Sequence, residues 1–249
     1  MVLNRRGSCH SGRVAVDGIM AEPRNVGAGV DAHAKAGESS MAGSPSVSAA
    51  VIAGGESRRM GRDKRSLTVG SETLLARVTA VLRSVSDDVL ISCRDNRQVP
   101  GALARELGAR RVFDRAASVG PLGGIAAALR AARHRHVVIV AVDMPFLSPD
   151  LLRLVAHRAV RADEAVVACS ARGIEPLLAS YPKRAALCAE ELMALGTFSV
   201  TAFADALRPR LIGPDEWHLA DPTGGSFVNW NLPADLQVAL VPATREASA

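Results

Sequence analysis

The run HVVIVAVD, residues 136 to 143, holds seven residues in a row without an exposed face: a histidine, then only Val, Ile and Ala up to a closing aspartate. A strand in an antiparallel sheet with one wet face alternates apolar and polar residues, whereas a strand covered on both faces reads as an unbroken aliphatic run. Similar runs recur at SAAVI, DDVLISC and EAVVACS, and between them lie helical stretches: ETLLARVTAVLRSV, whose apolar positions return every three or four residues, ALARELG, and SPDLLRLVAHRAV. Strand and helix in alternation predict a single doubly wound, mostly parallel α/β sheet with helices on both faces, of Rossmann-like form. Ser148 and Pro149 mark a helix start, serine as cap and proline in the first turn. Beyond about residue 170 the pattern loosens through PLLASY, KRAALCAEELMALG, TAFADAL, PRLIGP and SFVNWNLPADL.

Composition agrees with such a core. Hydrophobic residues make up 48% of the 249, but aromatics only 3%, so the interior is aliphatic and an aromatic platform for single-stranded nucleic acid is not expected. The formal charge of +5 is spread among 25 acids, and its densest positive cluster is Arg58, Arg59, Arg62, Lys64 and Arg65, which fits a small polyphosphate ligand better than nucleic acid. Cys9, Cys93, Cys169 and Cys188 form no C-x-x-C pair and no zinc spacing, which suits a reducing cytoplasm. No apolar segment reaches the ~20 residues that span a bilayer, and no apolar stretch follows Arg5 and Arg6 as in a secretory leader, so no membrane partner is expected. Residues 1 to 45 are rich in Gly, Ala, Ser and charge and read as a flexible tail, with Met20 and Met41 both candidate starts; the domain is expected over 46 to 240, with 241 to 249 a second tail.

In a doubly wound sheet the ligand sits beyond the carboxyl ends of the strands. Four places qualify. After SAAVIA comes GGESRRMGRDK, which matches neither a Walker A loop nor G-x-G-x-x-G; alone, it is also what a basic surface turn looks like. Asp114 closes RRVFD, Asp143 closes HVVIVAVD, and GPLGGI (120 to 125) opens a helix whose first amides can face an anion. A carboxylate placed as Asp143 is suits Mg²⁺ bridging to phosphate oxygens; capping of the next turn or of the helix at Ser148 is the other use of an aspartate here. His134 and His136 flank a strand start at the opposite edge and read as surface residues, and Cys93 reads as a buried thiol. The nucleophile elbow G-x-S-x-G is absent.

Taken together, IAGGESRRMGRDK, GPLGGI, VDMPF and FVNWNLPAD resemble, in order and spacing, the signatures of the molybdenum cofactor guanylyltransferases, over about four fifths of the chain. That resemblance implies a cytoplasmic nucleotidyltransferase that joins GMP from GTP to the terminal phosphate of molybdopterin or Mo-molybdopterin, releases pyrophosphate and uses Mg²⁺. Molybdoenzymes or their maturation factors would receive the product. Carried over to this chain, Ile52, Ala53, Gly54 and Gly55 would contact the guanine nucleotide, Lys64 its phosphates, Asp114 the nucleotide, and Asp143 both nucleotide and metal. Lys64, Arg59 and the metal would supply positive charge as the bond to pyrophosphate breaks. Asn229 and Asn231, two apart on an extended FVNWN, would share one face toward the pterin; a self-satisfied asparagine pair at a turn is the alternative.

Three positions depart from the family pattern: Ser92 stands where asparagine is usual, Glu175 where His or Gln is usual, and Leu232 where threonine follows N-x-N. A carboxylate at 175 is expected to repel an anionic substrate. A cytidylyltransferase or another nucleotidyltransferase acting on a phosphorylated acceptor, and a non-catalytic nucleotide- or partner-binding protein of the same fold, remain as alternatives.

Overall fold

The central sheet takes its strands from wherever the sequence is continuously aliphatic. In the computed structural model, which describes residues 46–53, 67–114 and 120–230, β1 (Ser48–Ile52) is buried along its whole length and pairs in parallel with both β4 (Asp88–Cys93) and β6 (His136–Ala141). The parallel set continues outward from β4 to β5 (Arg110–Phe113). A small antiparallel pair, β2 (Thr68–Val69) and β3 (Glu72–Thr73), precedes α1 (Leu74–Arg83). Helices α2 (Gly101–Glu106), α3 (Pro121–Ala131) and α4 (Pro149–Ala162) make the crossovers that parallel strands require.

The sheet is mostly parallel, as expected, and its other half holds the one antiparallel strand among the described residues. β8 (Gly173–Pro182) lies antiparallel between β6 and β7 (Val166–Ser170), and β9 (Arg210–Ile212) pairs in parallel with β7. The order is therefore β5-β4-β1-β6-β8-β7-β9. A hairpin turn joins β7 to β8, with Gly173 at φ 118°, a conformation closed to residues bearing a Cβ. Helices α5 (Ala185–Ala194), α6 (Val200–Ala206) and α7 (Pro214–Trp217) and a 3-10 turn at Gly225–Phe227 complete the chain. All the described residues fall in one unit, Met41–Ala249. Among them, no helix is long and apolar enough to cross a membrane.

Strand side chains alternate between faces, so an all-apolar strand feeds two cores at once. Ala49 and Val51 of β1, with Val138 and Val140 of β6, pack with Leu75, Val78 and Leu82 of α1 and Leu151, Leu152 and Val155 of α4. Ala50, Ile52, Val137 and Ile139 face the other way, onto Leu122, Ile125 and Leu129 of α3 and onto α5 and α6. The uninterrupted aliphatic runs thus have a structural cause: helices cover both faces. Ser148 caps α4 as expected, its hydroxyl accepting from the Leu151 amide.

At the amino ends of the strands, Asp88 is 2% exposed and holds the edge together. It accepts from the Ser48 hydroxyl (2.6 Å), from the Arg133 amide (2.9 Å) and from Nε and Nη2 of Arg110 (3.0 and 2.7 Å). Burial pushes the Asp88 carboxyl up, but the hydrogen bonds from Ser48, the Arg133 backbone and Arg110 together outweigh it and hold the group below its ordinary value of 3.8. A depressed folded-state pKa contributes stability that is present above the unfolded value and lost as pH falls through the folded one. Asp88→Ala is accordingly expected to cost about 2–3 kcal/mol in urea unfolding at pH 7 and to lose much of that deficit, relative to wild type, in acid well below 3.8. A deficit of the same size at both pH values would assign the loss to packing.

Candidate active site

The chain runs from β1 outward to β4 and β5, then returns to place β6 on the other side of β1. The switch in direction opens a crevice beyond the carboxyl ends of β1 and β6, where ligands of doubly wound sheets bind. Ile52 ends β1 in register with Ser92 and Ala141, and the Ala53 amide donates to the Ser92 carbonyl (2.9 Å), so the start of the glycine loop leaves the sheet at this edge. Gly54, Gly55, Arg59 and Lys64 lie outside the described residues, as do Asn231, Leu232 and the two tails.

Asp114 follows β5 on the same edge. Its amide donates to the Cys93 carbonyl (3.0 Å), and the residue is 6% exposed. The first turn of α3 packs directly on it: a Cβ built on Gly123 would lie 2.4 Å from Asp114 Oδ1. Gly124 similarly admits the Ser92 hydroxyl, with 2.7 Å from its would-be Cβ to Oγ. The glycine pair in GPLGGI therefore serves close approach of α3 to two strand ends. Ser92, fully buried, has a hydroxyl without a hydrogen-bond partner among the described residues. Beside Asp114, a cavity of about 610 Å³ runs along the edge strand, lined by Phe113, Ala126, Arg130 and Met193 among others.

Asp143 sits half-buried in the turn after β6. Neighbouring strands are about 4.8 Å apart, so Asp143 and Asp114, three strands away, are separated by roughly 14 Å across the edge. The carboxy-terminal segment is clipped to the Asp143 turn: the Trp230 amide donates to the Asp143 carbonyl (2.9 Å), and the Trp230 ring, 3% exposed, meets Phe146 edge-on at 6.0 Å. The Ser148 amide donates to Ser226 Oγ (2.8 Å), while the Ser148 hydroxyl donates to the Ala220 carbonyl (2.6 Å). From α1, Arg77 Nε donates to the Pro145 carbonyl (2.7 Å). Asn229 stands beside Trp230 on this segment, and its Oδ1 is buried without a hydrogen-bond partner among the described residues.

Arg77 and Ser226 carry no motif signal; only the long-range contacts expose them as positioning residues. Two readings change. His136 is 2% exposed rather than a surface residue, because Asp163, turned into a left-handed conformation at the end of α4, brings its Oδ1 within 2.9 Å of His136 Nε2. The charge on Glu175 is also not left bare. It accepts from the Ser170 hydroxyl (2.8 Å) and lies 3.4 Å from Arg172, whose guanidinium donates to the Phe227 carbonyl, so the expected repulsion of an anion is offset. Cys93 is a buried thiol, as read.

Comparison with known proteins agrees with this geometry. Residues 49–206 match the MobA-like NTP transferase domain. A probable molybdenum cofactor guanylyltransferase of Pelotomaculum thermopropionicum is 35% identical over 193 residues, covering 78% of this chain and 91% of its own. The molybdenum cofactor guanylyltransferase of Pseudomonas putida is 36% identical over 158 residues, 63% of this chain and 81% of its own. Among solved structures, the molybdopterin-guanine dinucleotide biosynthesis protein A of Archaeoglobus fulgidus superposes with a TM-score of 0.68 at 28% identity, covering 78% of this chain and 96% of that one. The chain belongs to the molybdenum cofactor guanylyltransferase family of MobA-like nucleotidyltransferases.

Proposed function

We propose that this protein transfers GMP from GTP to the terminal phosphate of molybdopterin or Mo-molybdopterin, forming the guanine dinucleotide cofactor and releasing pyrophosphate. The observation that carries the proposal is the attachment of the carboxy-terminal segment to the Asp143 turn through the Trp230 amide. It brings one region that would bind the acceptor, around Asn229, to the strand end that would hold the phosphates. A buried amide oxygen without a partner is a group that a bound ligand's donor would satisfy, and among the described residues Asn229 Oδ1 is such a group. The catalytic domain is taken as residues 46 to 240, with 1 to 45 and 241 to 249 as tails.

A magnesium ion fits the donor set. Among the described residues no three His, Cys, Asp or Glu side chains gather into a cage, and Mg²⁺ typically uses one or two carboxylates and completes its shell with water and phosphate oxygens. Asp143 would hold it. When bound, the ion neutralises charge on the phosphate oxygens and makes the α-phosphorus more open to attack.

The acceptor's terminal phosphate oxygen forms the new bond to the α-phosphorus as the α–β bridging bond breaks, and the electron pair leaves with pyrophosphate. No protein nucleophile is needed. Lys64 and Arg59 would balance the charge that grows on the leaving oxygen, Asp114 would orient the nucleotide, and Ile52, Ala53, Gly54 and Gly55 would border its base. Such an enzyme would work in the cytoplasm, where molybdoenzymes or their maturation factors would collect the product.

The test is pyrophosphate release with GTP and CTP compared, metal and acceptor held constant. GTP is expected to be the preferred nucleotide. Glycine at 54 would let a purine edge approach the strand end where a methyl group would intrude, so Gly54→Ala is expected to reduce the GTP-over-CTP ratio of kcat/KM by about fivefold or more. Equal slowing of both nucleotides would give Gly54 a role in the turn only, and efficient use of CTP by wild type would make the protein a less selective nucleotidyltransferase.

A further inference from the structure

At the opposite end of the sheet, the connection from α3 to β6 (Arg133, His134, Arg135) and that from β8 to α5 (Lys183, Arg184) line a small cleft of about 190 Å³. Every lining residue is a cation or an imidazole. β6 separates this cleft from the Asp143 edge by six residues, about 20 Å of strand, so it is no part of the nucleotide crevice.

The carboxylates around it are already engaged. Asp163 bonds His136 (2.9 Å) and Arg184 (3.0 Å), leaving Arg135 at 3.5 Å. Asp88 is taken by both nitrogens of the Arg110 fork, leaving Arg133 Nε at 3.7 Å. Asp87, largely exposed, bonds the His134 ring (2.7 Å). Lys183 Nζ donates to the Ala132 carbonyl (2.6 Å) and forms no ion pair among the described residues. Among the described residues, two carboxylates thus serve four guanidinium groups, and the lysine has a carbonyl alone. The side chains of Arg133 and Arg135 are 65% and 86% exposed, free to turn toward a ligand. Helix α5 starts at the cleft with Arg184 as its N-cap and no acid in its first turn, so the positive end of its dipole adds to the same field.

We propose that this cleft binds an oxyanion of the phosphate class, at a site separate from the nucleotide crevice. Its size suits one tetrahedral group, and paired guanidinium forks with an ammonium are the side chains that recognise such a group through charge-assisted hydrogen bonds. Inorganic phosphate and the phosphate of a small ester present the same chemistry, so both belong in the test.

The measurement is the melting temperature of the full chain against added potassium phosphate, ionic strength held constant with potassium chloride, and in parallel against glycerol 3-phosphate. Ligand binding to the folded state raises Tm along a saturable curve. Wild type is expected to show that curve with phosphate; a matching curve with the ester marks a cleft open to phosphorylated metabolites, and its absence marks one that takes the free ion, both within the proposal. Arg133→Gln combined with Arg135→Gln is expected to move the midpoint at least about tenfold higher in phosphate, the worth of losing charge-assisted bonds. Both side chains are exposed, so the double variant should fold; Lys183→Gln offers an independent second variant with the same expected direction. Lys64→Ala, which weakens the nucleotide crevice, is expected to leave the phosphate curve in place. Absence of a saturable rise in wild type, an unchanged curve in both cleft variants, or loss of the curve in Lys64→Ala would overturn the proposal.

Discussion

Asp143→Asn is expected to reduce GTP-dependent pyrophosphate release by at least about 100-fold while the protein folds as before. An amide keeps the shape of the carboxylate but not the charge that would hold a divalent cation, and a metal's contribution to a phosphoryl-transfer barrier is several kcal/mol, at 1.36 kcal/mol per tenfold in rate. Folding should survive because the bond that secures the turn comes from the Trp230 amide to the backbone carbonyl of residue 143, which the substitution retains. The Ser148 cap on α4 is likewise untouched. Turnover measured over a range of Mg²⁺ concentrations, beside a thermal melt, separates the two effects. Retention of turnover within roughly threefold would remove the Asp143 charge from the mechanism. A melt lowered in proportion to lost activity would make the residue a structural one.

The second large effect is expected at Gly123, acting through Asp114, the residue proposed above to orient the nucleotide. Gly123→Ala adds a Cβ that would lie 2.4 Å from Asp114 Oδ1 and 2.7 Å from Oδ2, so the carboxylate has to move. Asp114 is short and 6% exposed but lines the neighbouring cavity, so its carboxylate would yield by turning into that space and out of its present orientation. In an ordinary helix the same change would be favourable by up to about 1 kcal/mol, since alanine is the better helix former. Here the two contributions oppose each other in stability, and the net change in Tm should be small. Nucleotide binding has no such compensation. Losing a hydrogen bond to a charged group costs about 1.5–3 kcal/mol, so GTP affinity is expected to drop by roughly ten- to a hundredfold. Gly123→Ala should then have little further effect in an Asp114→Ala background, where the opposing carboxylate is gone. Additive losses in the double variant would show that Gly123 acts through the helix and not through Asp114.

Much of the fold was legible because it depends on local periods. The unbroken aliphatic run of β6 could only be a strand covered on both faces, and its residues do divide between the two cores. Ser148 and Pro149 marked the start of α4 because capping is settled within one turn. GPLGGI was legible as a helix start, and its glycines serve close contact with Asp114 and Ser92. Asp114 and Asp143 could be placed on one edge because each closes a strand of a parallel set.

What local pattern could not show is which distant segments share a surface. A ten-residue strand that is partly buried over its first five residues and buried over its last five, β8, has no preference for direction in its own sequence, and its antiparallel place between β6 and β7 follows from the hairpin at Gly173 and from the edge that β6 left open. His136 looked exposed because nothing within several residues announces that Asp163, 27 positions away, will turn a carboxylate onto its ring. Glu175 looked like a bare charge for the same reason, its neutralisation resting on a hairpin that brings Arg172 beside it. The amino-acid sequence by itself determined the strands, helices and caps, and the carboxylates that close the strands, since each depends on hydrogen bonds and hydrophobic periods spanning a few residues. The tertiary structure alone decided the strand order, the joining of Trp230 to the Asp143 turn and the gathering of Arg133, Arg135 and Lys183 around one cleft. Those outcomes depend on how whole buried surfaces fit together, and only the folded chain brings residues so far apart in sequence into contact.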